Sequence, residues 1–62
     1  MKDEWILGLT IEQATRKLQA EGLKLRVTFT DGAAVIVTRD VRPERVNVAT
    51  IDGVVAEILG RG

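Results

Sequence analysis

The sequence contains no cysteine and no histidine. Without cysteine, neither a disulfide nor a thiolate metal site can brace the fold. Without histidine, the chain has no imidazole base and no histidine metal ligand, and the common pairings of nucleophile and base are absent. Neither a Gly-x-Gly-x-x-Gly motif nor a P-loop occurs, so the usual nucleotide fingerprints are missing. We therefore expect a protein that is not an enzyme, holds no metal and needs no cofactor.

An excess of one charge and a long apolar run are also missing. Nine basic residues balance nine acidic ones, giving a formal net charge of zero, whereas nucleic acids and membrane surfaces usually attract proteins with a basic excess. No apolar run approaches the roughly 20 residues that span a bilayer. The charged start, followed by only a few apolar residues, is a poor signal peptide. We expect neither nucleic acid nor membrane as a partner, and the sequence assigns no compartment.

The chain does have enough apolar residues for one small core. Its 62 residues are 45% apolar, which argues against disorder. A chain of this length buries only about 60% of the surface that its unfolded form exposes, so we expect modest stability. We predict a single domain over residues 1–62, monomeric, with the lone tryptophan, Trp5, covering one end of the core.

The first regular element that the sequence predicts is a helix over residues 11–21. Thr10 is a good N-cap residue, and Gln13 three positions later completes a capping box. Gly22 suits the position that ends the helix. Apolar residues at positions i, i+3 and i+7 form one stripe: Ile11, Ala14 and Leu18.

The stretch from residue 23 to residue 29 alternates apolar and polar residues, which predicts a half-buried strand. Its apolar face ends with Phe29. Asp31 and Gly32 then supply turn chemistry.

A second pair of strands is predicted in the last third of the chain. Residues 45–51 form one strand, with alternate valines on one face. Asp52-Gly53 is a strong signal for a two-residue hairpin, after which residues 54–58 pair back antiparallel. Residues 59–62 are expected to be a tail.

The connection over residues 31–44 carries no helix pattern. Connections longer than about 12–15 residues without regular structure are uncommon and usually functional. A strand over residues 34–38 would shorten it, and that alternative stays open, although residues 40–44 would remain a charged turn without glycine. The flanking strands could pair antiparallel as a wide hairpin, or parallel with the connection as a crossover.

The segment over residues 35–46 changes from a β-branched run to a charged one around the single proline. Pro43 disfavours the helical conformation at Arg42 and cannot donate a helix hydrogen bond. Arginines recur at every third position with acids between them: Arg39, Asp40, Arg42, Glu44 and Arg45. We predict an extended, stiff and exposed segment.

Residues 37–48, with the sequence Val-Thr-Arg-Asp-Val-Arg-Pro-Glu-Arg-Val-Asn-Val, resemble the reactive-site loop of the potato inhibitor I family of serine-protease inhibitors. They equally resemble the related I78 family, in which an Arg-hydrophobic-Asn run follows the loop. The resemblance covers nearly the whole chain but is specific only in the loop and the strand after it. It implies an α+β fold: one helix packed on a small mixed sheet, with a long exposed reactive-site loop between parallel strands.

The resemblance implies a serine-protease inhibitor whose reactive bond is Arg39–Asp40. Arg39 stands where Met or Leu is common in the family, which shifts the expected target from chymotrypsin-like and subtilisin-like enzymes to trypsin-like ones. Its guanidinium would pair with an acid at the base of the S1 pocket. The residues around the reactive bond would lie along the protease cleft as a short added strand: Val37, Thr38, Val41 and Arg42.

The resemblance also implies what protects such a bond from cleavage. Guanidinium groups beneath the loop, here those of Arg42 and Arg45, would bond Thr38 and Asp40 on either side of the reactive peptide. Asn47 stands where potato-type members usually have a second supporting arginine, whereas I78-type members also have asparagine there. A loop already held in its bound shape loses less entropy on binding.

Two alternatives remain open. The chain could be a non-inhibitory or engineered scaffold of the same fold, whose loop binds no protease well. It could also be a nucleic-acid-binding module that uses the loop arginines. The zero net charge and the lack of stacking aromatics argue against this second alternative.

Overall fold

The computed structural model describes residues 4–35, 37 and 40–62. It shows one α-helix packed on a four-stranded mixed sheet, which is the α+β class that the sequence predicted. A 3-10 turn over Glu4–Ile6 precedes helix α1 over Ile11–Ala20. Strands β1 to β4 cover, in order, Lys24–Thr30, Ala33–Ala34, Arg45–Ile51 and Val54–Arg61. Their order across the sheet is β2-β1-β3-β4.

Helix α1 begins with the capping box that the sequence predicted. The Gln13 N–H donates to Thr10 Oγ1 at 3.1 Å, and the Thr10 N–H donates to Gln13 Oε1 at 3.1 Å. Within the predicted apolar stripe, Ala14 and Leu18 are fully buried, whereas Ile11 in the first turn is 38% exposed. The helix therefore packs on the sheet through a narrow face of small and medium side chains.

The strands on either side of the loop, whose relative direction the sequence left open, pair in parallel. Strands β1 and β3 run side by side from the pair Lys24–Arg45 to the pair Thr30–Thr50. A parallel pair requires a crossover connection, so the chain between β2 and β3 returns along the length of the sheet. Residues 33–34 form only a two-residue strand against β1, and this shortens the predicted long connection slightly.

Both predicted Asp-Gly turns are present as tight two-residue connections. Asp31 and Gly32 have φ angles of 50° and 82°, and Asp52 and Gly53 have φ angles of 52° and 74°. Two successive positive φ angles match the hairpin turn whose twist fits that of the flanking strands. The two turn residues of each hairpin therefore have a backbone conformation that glycine adopts easily and aspartate tolerates.

Phe29 does not lie on the core face of β1 as the alternation predicted. The register of β1 against β3 shifts between Val27 and Phe29, as in a β-bulge. Because an extra residue reverses the alternation of faces, Phe29 is 42% exposed. It lines an open, mostly apolar groove together with Ile51 and Leu59.

The predicted tail over residues 59–62 is wrong. Strand β4 continues through Arg61, with Gly60 paired to Asn47 and Arg61 paired to Val46. The Gly62 N–H then donates to the main-chain oxygen of Arg45 at 2.9 Å. Pairing with β3 orders this stretch and brings it to the start of β3.

A small core lies between the helix and the sheet. Its fully buried apolar residues are Ile6, Ala14, Leu18, Val46, Val48 and Val55. Trp5, which is predicted to cover one end of this core, is 44% exposed, while its neighbour Ile6 is fully buried. In the part of the chain that the structure describes, no helix is long and apolar enough to cross a membrane.

Candidate functional site

The loop between β2 and β3 contains the segment that the sequence analysis singled out. Val37 and Asp40 are exposed, and Val41 is 79% exposed, the largest value among the exposed large apolar residues. Thr38 and Arg39 lie outside the described residues. The predicted reactive bond and the predicted support of Thr38 therefore fall partly on positions about which the structure says nothing.

Two arginines that follow Asp40 in the chain donate hydrogen bonds to it. Arg42 Nε donates to Asp40 Oδ2 at 3.1 Å. Arg45 Nη2 donates to the main-chain oxygen of Asp40 at 2.6 Å and lies 3.5 Å from its Oδ1. The Arg45 side chain is 15% exposed, against 61% for that of Arg42. Exposed ion pairs contribute little to stability, so the shielded Arg45 is the stronger of the two contacts.

The loop rejoins the sheet through a turn over residues 42–45. A backbone hydrogen bond of 2.9 Å closes the turn, and Pro43 occupies the second position, where its fixed φ angle is favourable. Arg61 Nη1 donates to the Pro43 oxygen at 3.0 Å. The Lys24 N–H donates to the Glu44 oxygen at 2.8 Å. This end of the loop is thus tied to β1 and β4 as well as to β3.

Beneath the loop, the main-chain oxygen of Gly62 collects three side-chain donors. Arg45 Nε lies at 3.0 Å, Asn47 Nδ2 at 3.1 Å and Arg26 Nη2 at 3.0 Å. Arg26 Nε also donates to Asn47 Oδ1 at 2.8 Å. Asn47, whose contribution the sequence left open, accepts from Arg26 through Oδ1 and donates through Nδ2 to the Gly62 oxygen, which Arg45 also contacts.

Sequence reasoning missed three participants in this arrangement. The alternating pattern places Arg26 on the polar face of a strand, and the predicted tail contains Arg61 and Gly62. The register pairs Arg26 with Asn47 and Val46 with Arg61, and this brings the missed residues to the loop. No local pattern signals that register.

The site combines arginine donors bonded to Asp40 and Gly62 with the exposed residues Val37, Asp40 and Val41. Among residues 4–35, 37 and 40–62, no group of three acidic side chains is placed to hold a metal ion.

Fold and site together define a small α+β protein in which two arginines bond the exposed residue Asp40 between β2 and β3. No protein-family model, curated protein or solved structure matches this chain. The potato inhibitor I resemblance therefore rests on the sequence alone, and most specifically on residues 37–48.

Proposed function

We propose that the protein is a serine-protease inhibitor whose reactive bond is Arg39–Asp40. Trypsin-like enzymes are the expected targets, and subtilisin-like enzymes are the further candidates. The observation that best supports this proposal is the 2.6 Å hydrogen bond from Arg45 Nη2 to the main-chain oxygen of Asp40. It fixes the residue on the leaving-group side of the bond, in an exposed segment whose sequence resembles a reactive-site loop.

Inhibition follows from what happens after the protease attacks. The catalytic serine oxygen attacks the Arg39 carbonyl carbon, the bond to the Asp40 nitrogen breaks, and the nitrogen takes up a proton. The new amine does not diffuse away, because Asp40 stays bonded to Arg42 and Arg45. Held beside the acyl carbon, it has a high effective molarity and re-forms the peptide bond in competition with hydrolysis by water.

The test is titration of trypsin with the protein, followed by mass spectrometry of the mixture. We expect stoichiometric inhibition with slow cleavage between Arg39 and Asp40. Arg39→Ala should remove most of the trypsin inhibition, and Arg39→Met should move inhibition towards chymotrypsin. Trypsin inhibition that is equally strong after Arg39→Met would contradict the assigned bond. Rapid digestion at many sites would favour the scaffold interpretation.

A second prediction concerns the support of the loop by Arg45. Arg45→Met keeps much of the aliphatic stem but removes the donors to Asp40 and Gly62. We expect trypsin to cleave the loop roughly tenfold faster, as expected when charge-assisted hydrogen bonds are lost. Circular dichroism should show that the fold persists.

The matched control for this variant is Arg16→Met. Arg16 lies on the helix surface, is 75% exposed at its side chain and pairs with Glu12 at 2.9 Å. Its removal should leave the rate of loop cleavage unchanged. Equal cleavage rates in both variants and the unchanged chain would remove the support mechanism from the proposal.

A further inference from the structure

Arg26 lies on β1, the long strand before the loop, yet its guanidinium reaches Asn47 and Gly62 beneath the loop. Its Nε donates to Asn47 Oδ1 at 2.8 Å and its Nη2 donates to the Gly62 oxygen at 3.0 Å. Both bonds are partly buried, so water competes with them less than on an open surface.

The position of Arg26 follows from the register of the parallel pair. Arg26 is paired with Asn47, so the two side chains project from the same face of the sheet on neighbouring strands. The long arginine side chain extends past Asn47 to Gly62, at the end of β4. One guanidinium thereby links all three long strands of the sheet beneath the loop.

The Gly62 oxygen connects Arg26 to the loop. The same oxygen accepts from Arg45 Nε at 3.0 Å, while Arg45 Nη2 holds the Asp40 oxygen at 2.6 Å. The planar guanidinium of Arg45 is therefore fixed at two points, one in the sheet and one in the loop. If the sheet-side acceptor moves, the donor aimed at Asp40 moves with it.

We propose that Arg26 is a positioning residue for the reactive loop, acting through Asn47 and Gly62 on Arg45. This inference rests on the proposed function. It explains how Asn47 can stand beneath the loop in place of a second arginine: the guanidinium comes from β1, and the Asn47 amide orients it. Stiffness of the loop then depends on the strand that precedes it as well as on the strand that follows it.

The test compares Arg26→Met with Lys24→Met. Lys24 is also basic, exposed, and two residues earlier on the same face of β1, and its side chain makes no hydrogen bond or ion pair in the described part of the chain. Its bond to the Glu44 oxygen comes from the main-chain N–H, which Lys24→Met keeps. We expect trypsin to cleave Arg39–Asp40 roughly five- to tenfold faster in Arg26→Met, the size of effect that losing partly exposed charge-assisted bonds gives. Lys24→Met should leave the rate unchanged.

A second readout does not involve a protease. Solvent exchange of the Arg45 Nε–H proton, followed by NMR, reports whether Arg45 still holds Gly62. We expect faster exchange in Arg26→Met and no change in Lys24→Met, with the amides of Val46 and Val48 as internal references for the fold. The double variant Arg26→Met/Asn47→Arg, which returns a guanidinium from β3, should restore slow exchange and slow cleavage at least in part.

The outcomes separate the two proposals. Unchanged Arg45 Nε–H exchange and unchanged cleavage in Arg26→Met would overturn the positioning role, whether or not the protein inhibits trypsin. Faster exchange in that variant, with no inhibition by the unchanged chain, would overturn the proposed function and support the positioning of Arg45. If Arg26→Met does not fold, the exchange of the Arg45 Nε–H proton is measured in Arg26→Lys instead. This variant keeps the charge but cannot make both bonds, so unchanged Arg45 exchange in it would overturn the role.

Discussion

At the scale of single residues, two aspartates hold the hairpin end of the sheet together. Asp31 and Asp52 both have positive φ angles, of 50° and 52°, which few residues other than glycine adopt without strain. Asp31 Oδ1 also accepts a hydrogen bond from the Asp52 N–H at 2.8 Å. Asp52 therefore contributes to its own turn only, whereas Asp31 also accepts a hydrogen bond from the other turn.

This difference predicts unequal effects of the same substitution. Asp52→Ala should lower the free energy of unfolding by roughly 1 kcal/mol, because alanine is strained at a positive φ angle. Asp31→Ala should lower it by about 1 kcal/mol more, since it also removes the hydrogen bond to the Asp52 N–H. Urea denaturation of the two variants measures the difference, and equal losses would show that the bond between the turns contributes nothing.

The residues of the candidate site divide into those that the sequence foresaw and those that it could not. Arg42 and Arg45 stand within five residues of Asp40, so a local resemblance was enough to predict their contacts with it. Arg26 reaches the site only because β1 and β3 pair in one particular register. A slip of one residue would turn its side chain to the opposite face, and no local pattern specifies that register.

At the scale of elements, the helix is the part that local chemistry specifies best. Its capping box satisfies N–H groups that otherwise have no partner within the helix. The start and end of α1 therefore agree with the prediction to within one residue, at Ile11 and Ala20. Strand β4 shows the reverse case: its two register shifts against β3 and its extension to Arg61 arise from pairing with β3, which its own sequence does not reveal.

The capping box leads to a prediction about two threonines of the same region. Thr10→Ala should lower the free energy of unfolding by about 1 kcal/mol, the usual effect of losing an N-cap side chain. Thr15→Ala is the control, because Thr15 Oγ1 bonds the Ile11 carbonyl oxygen at 2.7 Å inside the helix. Such back-bonding slightly destabilises helices, and alanine is the better helix former. Thr15→Ala should therefore be neutral or slightly stabilising in urea denaturation, and an equal loss at both positions would contradict the role of the cap.

At the scale of the whole molecule, the loop depends on the same small core as the rest of the fold. The contacts of the loop reach β1, β3 and β4, and valines of β3 and β4 form the core with helix α1. The loop can therefore fail in two ways: locally, when an arginine is lost, or globally, when the core no longer holds the strands together.

Leu18→Ala should produce the global failure. A core Leu→Ala change costs about 3–5 kcal/mol, and a chain of 62 residues has roughly 3–9 kcal/mol of stability in total. We expect a variant that is largely or partly unfolded by circular dichroism and that trypsin cuts at lysines and arginines throughout the chain. Leu7→Ala, at a position that is 41% exposed, should stay folded and resist digestion. The pattern of fragments separates the two failures, because loss of Arg45 should accelerate a single cut after Arg39. A Leu18→Ala variant cut only at that bond would mean that the loop can loosen alone when the core is weakened.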